Sequence, residues 1–286
     1  MSASHDVSKR FACLVVRAGS VESSDRDVVV ERPLRLLVNG EPAATLMRTP
    51  GAEVELATGF LFTEGLVRSA GRITAASYCP DAAGTGVDVV RVDLAEPAGG
   101  QVHSRYRDVF SSGGPGAVEL LEVLAEGLPR FDKPAGRLRS GDVFRLRDAM
   151  ETAQAAFRST GGTHAAALAE LPVEATPQRI VVREDLGRHN ALDKAVGAAV
   201  AGDFVPARSL LFLSGRLSCE MVAKAARAGI GDLAGVSAPS ALGVELARRL
   251  GMFLAGFVRG DAMTVYSGDE ALGAAKQELS PFAPRK

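Results

Sequence analysis

Four short apolar runs in the second half of the chain each break into a turn rich in Gly, Ser, Arg or His. They are residues 179–183 before EDLGRHNALDK, 209–213 before SGRLSCEMVAK, 233–236 before SAPSALGVELA, and 252–257 before VRGDAM. The first three turns lead into sequences of helical character, and this repeated strand–turn–helix pattern restricts the region to an open α/β sheet. In such sheets strand ends and helix N-termini share one crevice. Unpaired N–H groups of each first helical turn point into it, and the helix dipoles add partial positive charge. Arg188, His189, Arg216 and Arg259 fall in the turns, with Lys194 and Lys224 about a turn into the helices. A phosphate-bearing ligand fits those residue types. Gly and Ser also serve as caps and tight connections in any α/β domain; the two Gly-Arg pairs, Gly187-Arg188 and Gly215-Arg216, weigh toward a ligand site.

The balance of charge excludes some partners. Lys and Arg number 33 against 34 Asp and Glu, for a formal net charge of -1, which argues against bulk electrostatic binding to nucleic acid or an anionic membrane. No apolar stretch approaches the ~20 residues that span a bilayer, and the first ten residues lead into a run too brief for a secretory core. A cytoplasmic location is expected. Cys13, Cys79 and Cys219 are scattered and odd in number, as in a reducing compartment without a disulfide framework. With no CxxC, HExxH or HxE followed by a cysteine pair, no zinc site is expected.

The first hundred residues read as strand-rich α+β. Residues 34–38 and 43–47 flank Asn39-Gly40, a dipeptide suited to a tight hairpin turn. Val54, Ala57 and Leu61 lie at helical spacing up to Gly65, and residues 87–94 partly alternate as a half-buried strand does. SSGGPGA, from Ser111, reads as an exposed loop. Helices are expected over 117–126 and 142–157, the second capped by Ser140 with Val143, Leu146, Met150, Ala153 and Phe157 on one face, and ending before Gly161-Gly162. THAAALAE follows as a short strand, and a loosely held tail is expected over 277–286.

NGEPAATLMRTPGAEVELATGFLFTEGL, TGGTHAAAL, EDLGRHNALDKAVG, SGRLSCEMVAKAARAGI, SAPSALGVELA and GMFLAGFVRGDAMTVYSG, in that order, closely resemble the formate dehydrogenase accessory protein family, FdhD, over about residues 30–266. The resemblance implies a cytidine-deaminase-like three-layer α/β/α domain over 117–286 without the deaminase zinc site, a strand-rich domain over 1–110, and a connecting loop at 111–116. It also implies a cytoplasmic homodimer that binds the bis(molybdopterin guanine dinucleotide) form of the molybdenum cofactor. The implied partners are a cysteine desulfurase, which supplies sulfur, and a formate-dehydrogenase-like molybdoenzyme, which receives the cofactor. By carry-over, Phe257, Val258, Arg259, Gly260, Asp261 and Ala262 fall on the cofactor-binding stretch, and His189, Arg216 and Ser237 would line the same pocket. Pyrophosphates suit helix N-termini and Arg forks, and a purine could stack on Phe257; Phe257 reads equally as a core aromatic at the end of a buried strand.

The sequence departs from the family at one place. The family loop reads approximately SSCGVCG, whereas this chain has Ser111-Ser112-Gly113-Gly114-Pro115-Gly116, so Ser112 and Pro115 stand where the cysteines would be. A hydroxyl forms no persulfide, and sulfur relay through this loop is not expected. Cys219 could substitute if the first helical turn lowers its pKa, or it could be a small buried apolar residue. His189, with Asp185 and Asp193 nearby, suits binding better than acid–base catalysis, and His164 suits anchoring a loop. Four functions follow: a cofactor carrier or chaperone, a sulfurtransferase using Cys219 or a partner's cysteine, a nucleotide-dependent enzyme related to deaminases, and a protein–protein adaptor.

Overall fold

The computed structural model describes residues 6–81, 85–95, 125–132, 134–173 and 179–272. Strands Ser8–Arg17 (β1) and Ser20–Val29 (β2) pair with each other as a separate ribbon. Arg32–Val38 (β3) and Glu41–Arg48 (β4) form the expected hairpin, turning at Asn39 and Gly40, which have φ of 51° and 86°. The helix Glu53–Thr63 (α1) follows, and Ile73–Cys79 (β5) and Asp88–Leu94 (β6) complete a four-stranded sheet in the order β4-β3-β6-β5.

The second half contains helices Ser140–Ala153 (α2) and Ala155–Thr160 (α3), strands His164–Glu170 (β7) and Ile180–Asp185 (β8), then helix Arg188–Ala201 (α4). Ser209–Leu213 (β9), Cys219–Arg227 (α5), Asp232–Gly235 (β10) and Ala241–Leu250 (α6) continue the series to Phe253–Arg259 (β11) and Ala262–Ser267 (β12). The strands form one sheet in the order β12-β11-β10-β9-β7-β8. β9, β10 and β11 are mutually parallel, and β7 runs against both β8 and β9. The carboxyl ends of β8, β9, β10 and β11 therefore lie along one edge, with the first residues of β7 and β12 beside them.

Strand periodicity sends alternate side chains to opposite faces. Leu168, Leu211, Leu213, Leu233 and Leu254 pack toward α4, α5 and α6, while Ala167, Leu210, Phe212, Phe253 and Ala255 pack under Val143, Leu146 and Met150 of α2. Helices thus cover both faces of the sheet. The first cluster continues through Leu56 and Leu61 of α1 into Leu34, Leu36, Val90 and Val92 of the four-stranded sheet.

Two sequence expectations are corrected. Ser140 is the first helical residue and not the cap; the Asp142 carboxylate instead accepts the Arg139 N–H at 3.0 Å. The helix expected to run unbroken to residue 157 breaks at Gln154, where ψ is 72°. The Glu184 carboxylate of β8 accepts the N–H groups of Ala156 and Phe157 at 2.9 and 2.8 Å and so starts α3 on a new axis. Ala153 and Phe157 are consequently exposed. The loop at 111–116 lies outside the described residues, as does nearly all of the helix expected over 117–126.

α1 crosses α4 with backbone in contact. A Cβ on Gly59 would lie 1.7 Å from the Asp193 carbonyl oxygen, and one on Gly197 would lie 1.9 Å from that of Glu55. Neither helix can retreat without opening the core on its other side. Gly59→Ala and Gly197→Ala are each expected to lower the unfolding free energy by about 3 kcal/mol, measured by denaturant titration; a loss within ~0.5 kcal/mol would show that the crossing is loosely packed.

Candidate functional site at the carboxyl edge

Turns at the carboxyl edge are joined by their own backbones. Leu217 N–H donates to Ala238 O at 3.0 Å, Ser240 N–H to Leu217 O at 3.0 Å, and Phe257 N–H to Ser237 O at 3.2 Å. Ser240 caps α6 by accepting the Gly243 N–H, whereas the Ser218 hydroxyl at the start of α5 is buried with no hydrogen-bond partner among the described residues. The Gly215 turn is narrow: a Cβ there would sit 3.3 Å from the Arg188 side chain and 3.5 Å from His164 Nδ1.

Side chains of three elements meet at this point. Glu220 Oε2 is 2.8 Å from His189 Nε2 and 4.0 Å from Arg188 Nη2. The Ser214 hydroxyl accepts the Ala165 N–H at 2.9 Å and lies 3.5 Å from His164 Nδ1. The hydrogen bond from His189 holds the Glu220 carboxyl below its usual range, with Arg188 and Lys224 adding to the effect against burial. Burial lowers the His164 pKa, reinforced by Arg188 and His189. Arg188 Nε is buried without a hydrogen-bond partner among the described residues. The cluster offers cationic donors to an anion, moderated by one carboxylate.

Several expected roles are corrected. Asp185 and Asp193 do not serve His189; its partner is Glu220, from the neighbouring helix. Lys194 and Lys224 do not reach the crevice. Lys194 is buried, 2.8 Å from Asp185 Oδ2 and 2.9 Å from Thr49 O, and burial lowers its pKa against that carboxylate. Lys224 lies 3.0 Å from Asp193 and 2.8 Å from Glu64. Burial opposes its charge, but the two carboxylates outweigh that and raise its pKa. Cys219 does occupy the first turn of α5, yet burial, followed by the adjacent Glu220, raises its pKa.

Among the carried-over residues, Phe257 is not in the core. It is 44% exposed, with φ of 51° at an irregularity in the β11–β12 pairing, a conformation that costs a non-glycine residue energy and recurs at ligand sites. Ser237 touches it through the backbone bond above. Val258 is fully buried against the α2 side of the sheet, whereas Arg259, Gly260, Asp261 and Ala262 form an exposed turn. Arg216 is exposed and makes no hydrogen bond or ion pair among the described residues. The structure therefore divides the expected set: His189 stands on the α4–α5 side of the sheet, and Arg259 with Gly260 stands on the α2 side. There they border a groove of about 690 Å³, whose other wall is Glu151, Gln154, Phe157 and Arg158. Sequence reasoning missed that wall because Phe157 continues the helical spacing of Val143, Leu146 and Met150. Nothing local marks the break at Gln154. Among the described residues no group of three or more His, Cys, Asp or Glu is arranged to hold a metal, and no helix is long and apolar enough to cross a membrane.

Residues 29–273 match the model of the FdhD/NarQ family. The chain belongs to the FdhD/NarQ family. It is 40% identical to the sulfur carrier protein FdhD of Nocardia farcinica, over 92% of this chain and 94% of that one. Against the sulfur carrier protein FdhD of Streptomyces avermitilis the identity is 38%, over 93% and 96% of the two chains. The fold is that of a solved putative formate dehydrogenase accessory protein from Desulfotalea psychrophila, with a TM-score of 0.73 and 24% identity over 93% of this chain and all of that one. Family membership thus accompanies an edge cluster built from the motifs that suggested it.

Two outcomes are expected. The folded-state pKa of Glu220 is depressed, so the unfolded chain binds its proton first as pH falls. The His189–Glu220 contact therefore contributes stability above the unfolded-state pKa near 4.5 and loses it as pH falls through the folded-state value. Glu220→Gln should flatten that acid limb in unfolding curves between about pH 3 and pH 7; an unchanged limb would remove Glu220 from the account. In thiol labelling at neutral pH, half-buried Cys13 and Cys79 should react well before buried Cys219.

Proposed function

We propose that this FdhD/NarQ protein is an accessory factor for formate dehydrogenase or a related molybdoenzyme. It binds the molybdenum bis(molybdopterin guanine dinucleotide) cofactor and delivers it, without relaying sulfur through its own loop. The observation that carries this reading is Phe257, exposed in a strained conformation between the Ser237 turn and Arg259, which has no side-chain partner among the described residues, on the segment that resembles the family's cofactor-binding stretch. The solved neighbour is named for formate dehydrogenase, and the relatives are named sulfur carrier proteins. A homodimer and a cysteine desulfurase partner belong to this reading, as does the deaminase-like layering, which the helix-covered sheet supports.

The residues fit an anionic dinucleotide. A buried Arg188 Nε and the side chains of Arg216 and Arg259, all without hydrogen-bond partners among the described residues, together with the N-termini of α4 and α5, suit pyrophosphate oxygens. When bound, the cofactor supplies the metal centre that the receiving enzyme uses; the protein's part is to bind its phosphates and bases and shield them from water. Ser112 and Pro115 replace the thiols that a persulfide relay requires. Rerouting through Cys219 finds little support, because that thiol is buried and its pKa is raised.

Calorimetry with guanosine diphosphate, a fragment of the cofactor, tests the reading. Saturable binding is expected, weakened about tenfold or more by Arg259→Ala and by Arg216→Ala, since each removes a charge-assisted contact. Absence of binding to the native chain would leave a protein–protein adaptor as the better account.

A further inference from the structure

Five of the ten large apolar side chains exposed among the described residues, Phe11, Leu14, Val16, Val21 and Val28, lie on the ribbon of β1 and β2. Leu14, Val16 and Val21 are 66, 71 and 63% exposed and neighbour one another around the Val16–Val21 pair. Up to Val28 the ribbon precedes residues 29–273, which match the family model, so family membership assigns it no role. It is fastened at its base. Val30 N–H donates to Val7 O at 2.9 Å, and a Cβ on Gly162 would lie 2.7 Å from Val29. Beyond that base, a two-stranded ribbon with both faces largely open to solvent has little to hold it, and an apolar cluster on it marks an interaction surface.

The outer edge of β1 narrows the kind of partner. β1 and β2 pair with each other and with no other described strand. The two-residue turn Ala18-Gly19 closes on the Arg17–Ser20 pair, so Arg17 and every second residue before it bond to β2. Ala12, Leu14 and Val16 therefore turn their N–H and C=O groups to the open edge. Along it Phe11-Ala12-Cys13-Leu14-Val15-Val16 has no charge and no proline, a composition that invites another strand. β2 carries Glu22, Asp25, Arg26 and Asp27, charges that guard its own edge.

We propose that the open edge of β1 pairs antiparallel with the same edge of a second copy, joining two ribbons into one four-stranded sheet with a twofold axis at Leu14. An axis normal to the sheet sets each residue opposite one an even number of positions away. With the axis at Cys13, Lys9 would face Arg17 of the second copy, and like charges repel. With the axis at Ala12, Arg10 would face Leu14 and Lys9 would face Val15. At Leu14 the apolar residues meet each other: Leu14 its equivalent, Ala12 Val16, and Cys13 Val15. Phe11 then lies opposite Arg17, a cation–π pair. Arg10 and Arg17 are bound to Asp27 and Glu22 of their own ribbon at 3.1 and 2.9 Å, so no bare charge opposes the approach. A strongly charged partner gains little from such an edge, whereas an identical edge is self-complementary. The homodimer belongs to the proposed function, and this interface rests on that part of it.

Light scattering during size exclusion of the full-length protein tests the interface. The native chain is expected at twice the mass of one chain. Leu14 is exposed, so Leu14→Glu and Leu14→Lys should keep the fold, as circular dichroism can verify. Each sets like charges on the axis and is expected to halve the mass. Mixing the two variants in equal amounts should restore the dimer, because Glu then faces Lys, a result that an unfolded variant cannot give. Two-chain mass in Leu14→Glu alone, or failure of the mixture to re-form the dimer, overturns the interface and leaves the cofactor reading standing. Single-chain mass for the native protein overturns both the interface and the homodimer of the proposed function.

Discussion

The crossing of α1 over α4 is the contact on which the remaining architecture depends. Two glycines let the backbones touch, with Gly59 against the Asp193 carbonyl and Gly197 against that of Glu55. Close approach brings the end of α1 over α5, where Lys224 is enclosed by Asp193, Glu64 and the Thr63 hydroxyl. A second buried pair, Asp185 with Lys194, fastens the β4–α1 turn to the start of α4: Thr49 N–H and Asn190 both donate to Asp185. Such pairs add little beyond what apolar residues would give, but loss of one partner strands a buried charge at about 3–5 kcal/mol. They tie α1 and the β4–α1 turn to α4 and α5, and so the four-stranded sheet to the six-stranded one.

Rigidity on the α1 side leaves the opposite edge free for function. The turn after β9 is joined to the turn after β10 by two backbone hydrogen bonds and the latter to Phe257 by one, with small residues at Gly215, Gly235 and Gly243 where a Cβ would collide or crowd. Polar groups without partners among the described residues gather there: Arg188 Nε, the Ser218 hydroxyl and the side chains of Arg216 and Arg259. Glu220 moderates the positive field by binding His189, so the site is a set of oriented donors more than a basic patch. In a chain whose net charge is close to zero, positive potential of this kind is local.

The sheet also separates two chemistries. Helix N-termini and the histidines face the α4–α5 side; the groove under the broken α2–α3 helix lies on the other. Arg259 and Gly260 of the β11–β12 turn line that groove, and Phe257, just before them, is tied by its backbone to the Ser237 turn. In a family whose relatives are named sulfur carriers, this chain has Ser112 and Pro115 in a loop where the family resemblance leads one to expect thiols, and neither residue can carry a persulfide.

The amino-acid sequence by itself determined the elements whose cause is local. The Asn39-Gly40 hairpin, the strand of alternating residues before Leu94, the three helices that begin at strand ends, and the resemblance of the motifs around His189, Arg216 and Arg259 could all be read from spacing and turn chemistry. Tertiary structure decided what depends on contacts distant in sequence. Lys194 and Lys224 read as crevice cations because their spacing from the turns is right, yet carboxylates and carbonyls from other elements take them into the core. His189 has two nearby aspartates in sequence but pairs with Glu220, because α4 and α5 start side by side. Phe157 keeps perfect helical spacing and still points to solvent, because Glu184, 27 residues later, claims its N–H and restarts the helix. Local periodicity fixes which residues share a face of an isolated helix; only long-range hydrogen bonds and charge pairing decide whether that helix continues and which side chains are left over for a ligand.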